Sequence, residues 1–116
     1  MKFLLMIFDD HAAWAKVDPA EMDAVMQTHD RLQADLRAQG KWIGCERLRP
    51  GDAAATVRVQ GGRQVVSDGP FTETKEVMGG YYLIECGSRE EAIEWAKRLP
   101  LAEGRSSVEV RPIWES

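Results

Sequence analysis

The chain opens on an apolar run, Phe3 to Phe8, in which neither alternating set is polar: Phe3, Leu5 and Ile7 point one way, Leu4, Met6 and Phe8 the other. A strand over residues 2–8 with that pattern is central and covered on both faces. Residues 9–18 read as a connection carrying His11 and Trp14. Asp18-Pro19 then supplies a helix cap and a first-turn proline, with Glu21 in the first turn. Met22, Val25, Met26, Leu32 and Leu36 recur at helical spacing until about Gln39, and Gly40 stops the helix. His29 falls on the same stripe, between Met26 and Leu32.

Residues 42–48 predict a second strand, broken by Pro50-Gly51-Asp52. Residues 55–60 and 63–67 predict a hairpin around Gly61-Gly62, with Val57 and Val59 on one face. After the charged stretch "SDGPFTETKEVMGG", residues 80–86 form another strand. Tyr82, Ile84 and Cys86 share one face of it, and Tyr81, Leu83 and Glu85 the other. Ser88 caps a second helix, Glu91 completes a capping box, and Pro100 ends the helix. A last strand covers about 107–114, with Val108, Val110 and Trp114 on one face.

The order β-α-β, hairpin, β-α-β is the split βαβ of an α+β, ferredoxin-like fold with an inserted β-hairpin. Two helices cover one face of such a sheet, yet the first strand is apolar on both. The expectation is a homodimer joined through the open sheet face.

A length of 116 residues fits a single domain, residues 1–116. The net charge of −4, with no basic cluster, leaves no electrostatic footprint for nucleic acid. The N-terminal apolar run is too short to span a membrane, lacks a cleavage site and runs into Asp9 and Asp10, so no membrane association is expected. Cys45 and Cys86 sit inside predicted strands without metal-ligand spacing, which reads as two reduced thiols of a cytoplasmic protein. His11 and His29 lack ligand spacing too, and no phosphate loop or nucleophile elbow occurs, so neither metal nor cofactor is expected.

The stretch "DGPFTETKEVMGGYYLIE" closely resembles the signature of the DGPF proteins, a branch of the YCII-related family. The flanking "ATVRV…GGRQVVSDGPF" and "SVEVRPIWE" resemble the family's hairpin and terminal strand, so the resemblance covers nearly the whole chain. It implies a dimeric α+β barrel and no settled activity; some members are encoded beside extracytoplasmic-function sigma factors. Related proteins carry a proposed His–Asp pair in a cleft, and "MQTHDRL" puts His29 at the histidine's position. The family aspartate precedes a proline after the second helix, where this chain has Leu99 before Pro100. Asp68 is the expected substitute.

The expected site therefore has His29 and Asp68 as acid–base groups. Glu73, Lys75 and Glu76 would form its polar rim, and Phe71 and Tyr82 its aromatic walls. Each also has a plainer use: a packed histidine, a turn-anchoring aspartate, a solvated loop, core aromatics. The implied function is a cofactor-independent enzyme acting on a small molecule. The alternatives are a non-catalytic ligand-binding or regulatory partner linked to a sigma factor, and a purely structural dimer.

Overall fold

The structure is a computed structural model and describes residues 1–71 and 75–115. The elements are β1 (Lys2–Asp9), α1 (His11–Trp14), α2 (Pro19–Ala38), β2 (Trp42–Arg47), β3 (Ala55–Gln60), β4 (Arg63–Asp68), β5 (Val77–Glu85), α3 (Arg89–Ala96) and β6 (Ser106–Pro112). Four strands make an antiparallel sheet in the order β2-β5-β1-β6, and β3-β4 form a separate two-stranded ribbon. This is the ferredoxin-like α+β arrangement expected from the element order.

The caps act as their residue types dictate. Asp18 Oδ1 accepts the Glu21 amide at 2.8 Å, and Ser88 Oγ accepts the Glu91 amide at 3.1 Å. Glu91 returns a bond to the Gly87 amide at 3.3 Å, one residue ahead of the cap. In the ribbon, Gly61 and Gly62 take φ of 57° and 77°, as a two-residue turn of primed type requires.

One core serves the domain. Phe3, Leu5, Tyr82 and Ile84 from the sheet meet Leu32 and Leu36 of α2 and Ala92, Trp95 and Ala96 of α3. The α2 stripe is therefore divided: Leu32 and Leu36 are buried, while Met22 and Val25 are half-buried and Met26 is exposed. The opposite sheet face carries Leu4, Met6, Phe8, Tyr81 and Leu83, all half-buried. The radius of gyration, 16.0 Å, exceeds the roughly 13 Å of a compact chain of this length. The ribbon accounts for part of this, with Val57, Val59 and Val66 between 61% and 71% exposed.

Three expectations change. β1 runs one residue further, to Asp9, and the connection after it folds as the short helix α1, capped by Asp10, which accepts the Ala13 amide at 3.1 Å. β5 starts at Val77, taking in Gly79 and Gly80. β6 ends at Pro112, the partner of Phe3 in the last register pair; beyond it the Ile113 amide still donates to the Lys2 carbonyl at 2.9 Å, and Trp114 lies past the ladder and is 98% exposed.

Gly79 and Gly80 have separate reasons. The β1–β5 register slips at Gly79: Ile7 pairs with Gly80 and Phe8 with Met78, which makes Gly79 a bulge residue. A Cβ there would sit 2.4 Å from Asp9 Oδ2 and 3.1 Å from His11 Nε2. At Gly80 a Cβ would meet the backbone oxygen of Glu46 at 2.8 Å, so β2 can lie against β5 only over a glycine. Gly80→Ala is expected to destabilise the fold by about 1–3 kcal/mol, because a backbone strand must move. Gly44→Ala, with nothing within 4 Å of its Cβ, is the control and should lie within about 0.5 kcal/mol of wild type. Denaturant unfolding of both variants checks the contrast.

Candidate functional site

A cavity of about 630 Å³ opens between α2, the ends of β1, β2 and β5, and the segment Leu99–Leu101. Its apolar wall comes from Met22, Val25 and Met26 of α2, with Ile7 and Leu101. Its polar groups are Asp9, His11, His29, Gln33 and Tyr82, with Glu46, Arg47 and Arg49 beside them. Period-two alternation places Asp9 here: Phe3, Leu5, Ile7 and Asp9 lie on the helix-covered side of β1. Helical spacing places His29 and Gln33 one turn apart along α2, beyond Val25 and Met26.

The Tyr82 hydroxyl joins the two helix residues to the sheet. It lies 2.7 Å from His29 Nδ1 and accepts from Gln33 Nε2 at 3.3 Å. Burial pushes the Tyr82 phenol up to about 12, so it stays protonated at neutral pH. With Gln33 donating to its oxygen, the phenol proton is free to go to His29 Nδ1, which leaves the hydrogen of a neutral imidazole on Nε2. Among the described residues nothing bonds Nε2.

Asp9 is held from the other side. Its Oδ1 accepts from Trp14 Nε1 at 3.2 Å, while Oδ2 lies over Gly79. His11 Nε2 lies over the same glycine, and its Nδ1 is buried without a hydrogen-bond partner among the described residues. Burial raises the Asp9 carboxyl above its ordinary value of 3.8, partly offset by the Trp14 bond and by the nearby His11, His29 and Arg47 charges. Burial lowers His29 below 6.5, partly offset by the Asp9 and Asp30 charges. Each group thus lies in the other's field, and both are shifted toward their neutral forms.

The neighbouring Asp10 has a different task. It is 6% exposed, caps α1, and lies 3.8 Å from Lys75 Nζ. Two adjacent aspartates thus divide into one structural and one cavity-facing group. Among the described residues no cluster of three or more His, Cys, Asp or Glu is disposed to hold a metal ion.

Of the residues expected from sequence, His29 and Tyr82 line the cavity. Asp68 does not. It is exposed at the end of β4, paired with Ala55, because β4 joins β3 in the separate ribbon and not the main sheet. Phe71 is 74% exposed with the Arg58 guanidinium 6.0 Å from its ring. Lys75 pairs with Asp10, and Glu76 accepts from Ser107 Oγ at 3.4 Å; neither lines the cavity. Glu73 lies outside the described residues. The carboxylate facing His29 is therefore Asp9, with His11 and Gln33 as further polar groups. The missed signal was the alternation of β1: one more residue of strand puts Asp9 after Ile7 on the covered face. Leu99 and Pro100 do line the cavity, so the wall where the resemblance locates an aspartate is apolar in this chain.

The family model of the YCII-related domain matches residues 1–116. An uncharacterized protein of Rhizobium meliloti (strain 1021) is 37% identical over 114 residues, spanning 97% of this chain and 92% of that protein.

His29 is expected to titrate below 6.5 in wild type, by NMR of its ring protons. Asp9→Asn removes the charge that raises its pKa, so the midpoint should fall further, whereas Asp68→Asn should leave it unmoved. A midpoint that follows Asp68 instead would return that residue to the site.

Proposed function

The chain belongs to the YCII-related family, and on that footing we propose that it is a cofactor-independent enzyme of the DGPF branch. In this reading it moves a proton on a small molecule, with Asp9 and His29 as the acid–base pair. The observation that carries the proposal is the opposed shift of two groups facing one cavity: a carboxyl raised and an imidazole lowered, each by burial.

The chemistry follows from the bonding. A carboxylate in a desolvated site is a stronger base than in water, and Asp9 takes a proton from carbon beside a carbonyl. The electron pair of that C–H bond moves into an enolate, whose oxygen accepts a hydrogen bond from the Nε2–H of neutral His29. Tyr82, protonated throughout, fixes the imidazole by its bond to Nδ1, and Gln33 fixes Tyr82. Return of the proton from Asp9 to a different carbon isomerises the substrate; return to the same carbon, after the Asp9 carboxyl has exchanged its proton with water, incorporates solvent hydrogen. Lowering the His29 pKa serves this scheme, because a neutral donor is needed at neutral pH.

The readout is deuterium incorporation from D2O into a panel of small enolisable carbonyl compounds, followed by NMR. Wild type should catalyse exchange in at least one. Asp9→Asn and His29→Gln should each slow it by about 10²–10⁴-fold, with circular dichroism unchanged. Equal exchange in the variants would sink the acid–base assignment.

The same reading includes a homodimer and a reducing, cytoplasmic location. Helices occupy one sheet face, and Leu4, Met6, Phe8, Tyr81 and Leu83 make the other apolar, which favours a second copy packed sheet against sheet. Both cysteines are free, in keeping with a reducing compartment. Leu83→Glu places a charge at the centre of that face and should give a monomer by analytical ultracentrifugation. A wild-type chain that sediments as a monomer would end the dimer proposal.

A further inference from the structure

The cavity carries two cations that the proton-transfer scheme does not use. Arg47 ends β2, paired with Gly80 on the covered side of the sheet, and Arg49 follows two residues later; both line the cavity. Of the other arginines, Arg98 pairs with Asp35, Arg105 with Glu21 and Arg111 with Glu109, while Arg37 lies over Trp42 and Arg58 over Phe71; Arg31, Arg63 and Arg89 lie away from the cavity lining. Arg47 and Arg49 have no ion pair, hydrogen bond or aromatic partner among the described residues. The neighbouring Glu46 also lines the cavity, from a strand position that pairs with Tyr81 and so alternates with that of Arg47. Arg47 also lies close enough to Asp9 and His29 for its charge to act on both.

Two unpaired guanidiniums in a chain of net charge −4, beside a wall of Met22, Val25 and Met26, define a ligand chemistry. We propose that the cavity binds a small carboxylate-bearing molecule with an apolar body. Its carboxylate is held by Arg47 and Arg49, and its apolar part is turned toward α2, with the reacting carbon between Asp9 and His29. Planar guanidinium matches planar carboxylate in charge and in paired donors. The bound anion also sets orientation: it keeps the substrate's own negative charge at the arginines and away from Asp9. This inference rests on the acid–base reading for the reacting end only; the anion subsite stands without it.

The probe is benzoate, compared with the neutral isostere benzamide, titrated against the full chain and followed by side-chain NMR of the arginine Nε–H groups. Benzoate should shift Arg47 and Arg49 and bind at least about tenfold more tightly than benzamide. That preference should be lost in Arg47→Gln/Arg49→Gln and should weaken with added salt. Asp9→Asn should bind benzoate at least as tightly as wild type, since a negative charge has left the site. Benzoate and benzamide binding alike, no shift at either arginine at saturating benzoate, or an undiminished preference in the double variant overturns the proposal. Benzoate selectivity together with no deuterium exchange in any compound would instead overturn the acid–base scheme and leave the anion subsite in place.

Discussion

The constraint on which the site depends is the absence of a side chain at two consecutive positions of β5. Gly80 lets the β2 backbone come against β5; Gly79, in the bulge, leaves room for the Asp9 carboxylate and the His11 ring. A methyl group at either position meets an atom inside van der Waals contact, backbone in one case and a polar side chain in the other. The double glycine in the family-like signature is thus the floor of the cavity. The bulge is what lets one strand both hold the sheet together and present open space to its neighbour.

That space is occupied at a cost. Asp9 has a raised pKa, so between 3.8 and its folded value the native state holds more protons than the unfolded chain, and stability falls as pH rises through that window. His29 is lowered, so below 6.5 the unfolded chain takes up the proton first, and stability falls as pH drops toward the folded value. Each group therefore opposes folding in its charged form. Among the described residues neither is relieved by a direct ion pair: Asp9 keeps the Trp14 bond, and His29 the neutral Tyr82 hydroxyl. A purely structural Asp or His would more commonly be stabilised by its partner, as Asp10 is by its helix cap and by Lys75.

Most of the fold could be read in the sequence because it is written in local chemistry. Asp18-Pro19, Ser88 with Glu91, Gly61-Gly62 and the two-sided apolar run of β1 each fix an element regardless of what lies elsewhere. His29 stood out by being polar on an apolar stripe. Asp9 did not, since it sits where a strand either stops or continues, and only its pairing with Val77 and Ser106 decides which. The density of charge from Asp68 to Glu76 drew attention to a stretch whose ends go elsewhere. Asp68 belongs to the ribbon, and Lys75 and Glu76 to contacts with Asp10 and Ser107. Sequence separation hid the relation that matters, which runs from Asp9 to Gly79 across paired strands.

The exchange of one carboxylate for another also follows from the shape of the cavity. The resemblance locates an aspartate before the proline that follows α3, and in this chain that position is Leu99, 5% exposed and packed in the core. An apolar side chain there removes a charge from one wall and closes that wall to water. Asp9, at the end of β1, faces the same cavity from the sheet. Burial is the largest influence on its carboxyl, and it acts in the direction that makes a base stronger. What the proposed proton transfer requires is a carboxyl and an imidazole facing one partly buried cavity, not a carboxyl at a given point along the chain. The β1 alternation, the Gly79 bulge and the apolar Leu99 wall together meet that requirement.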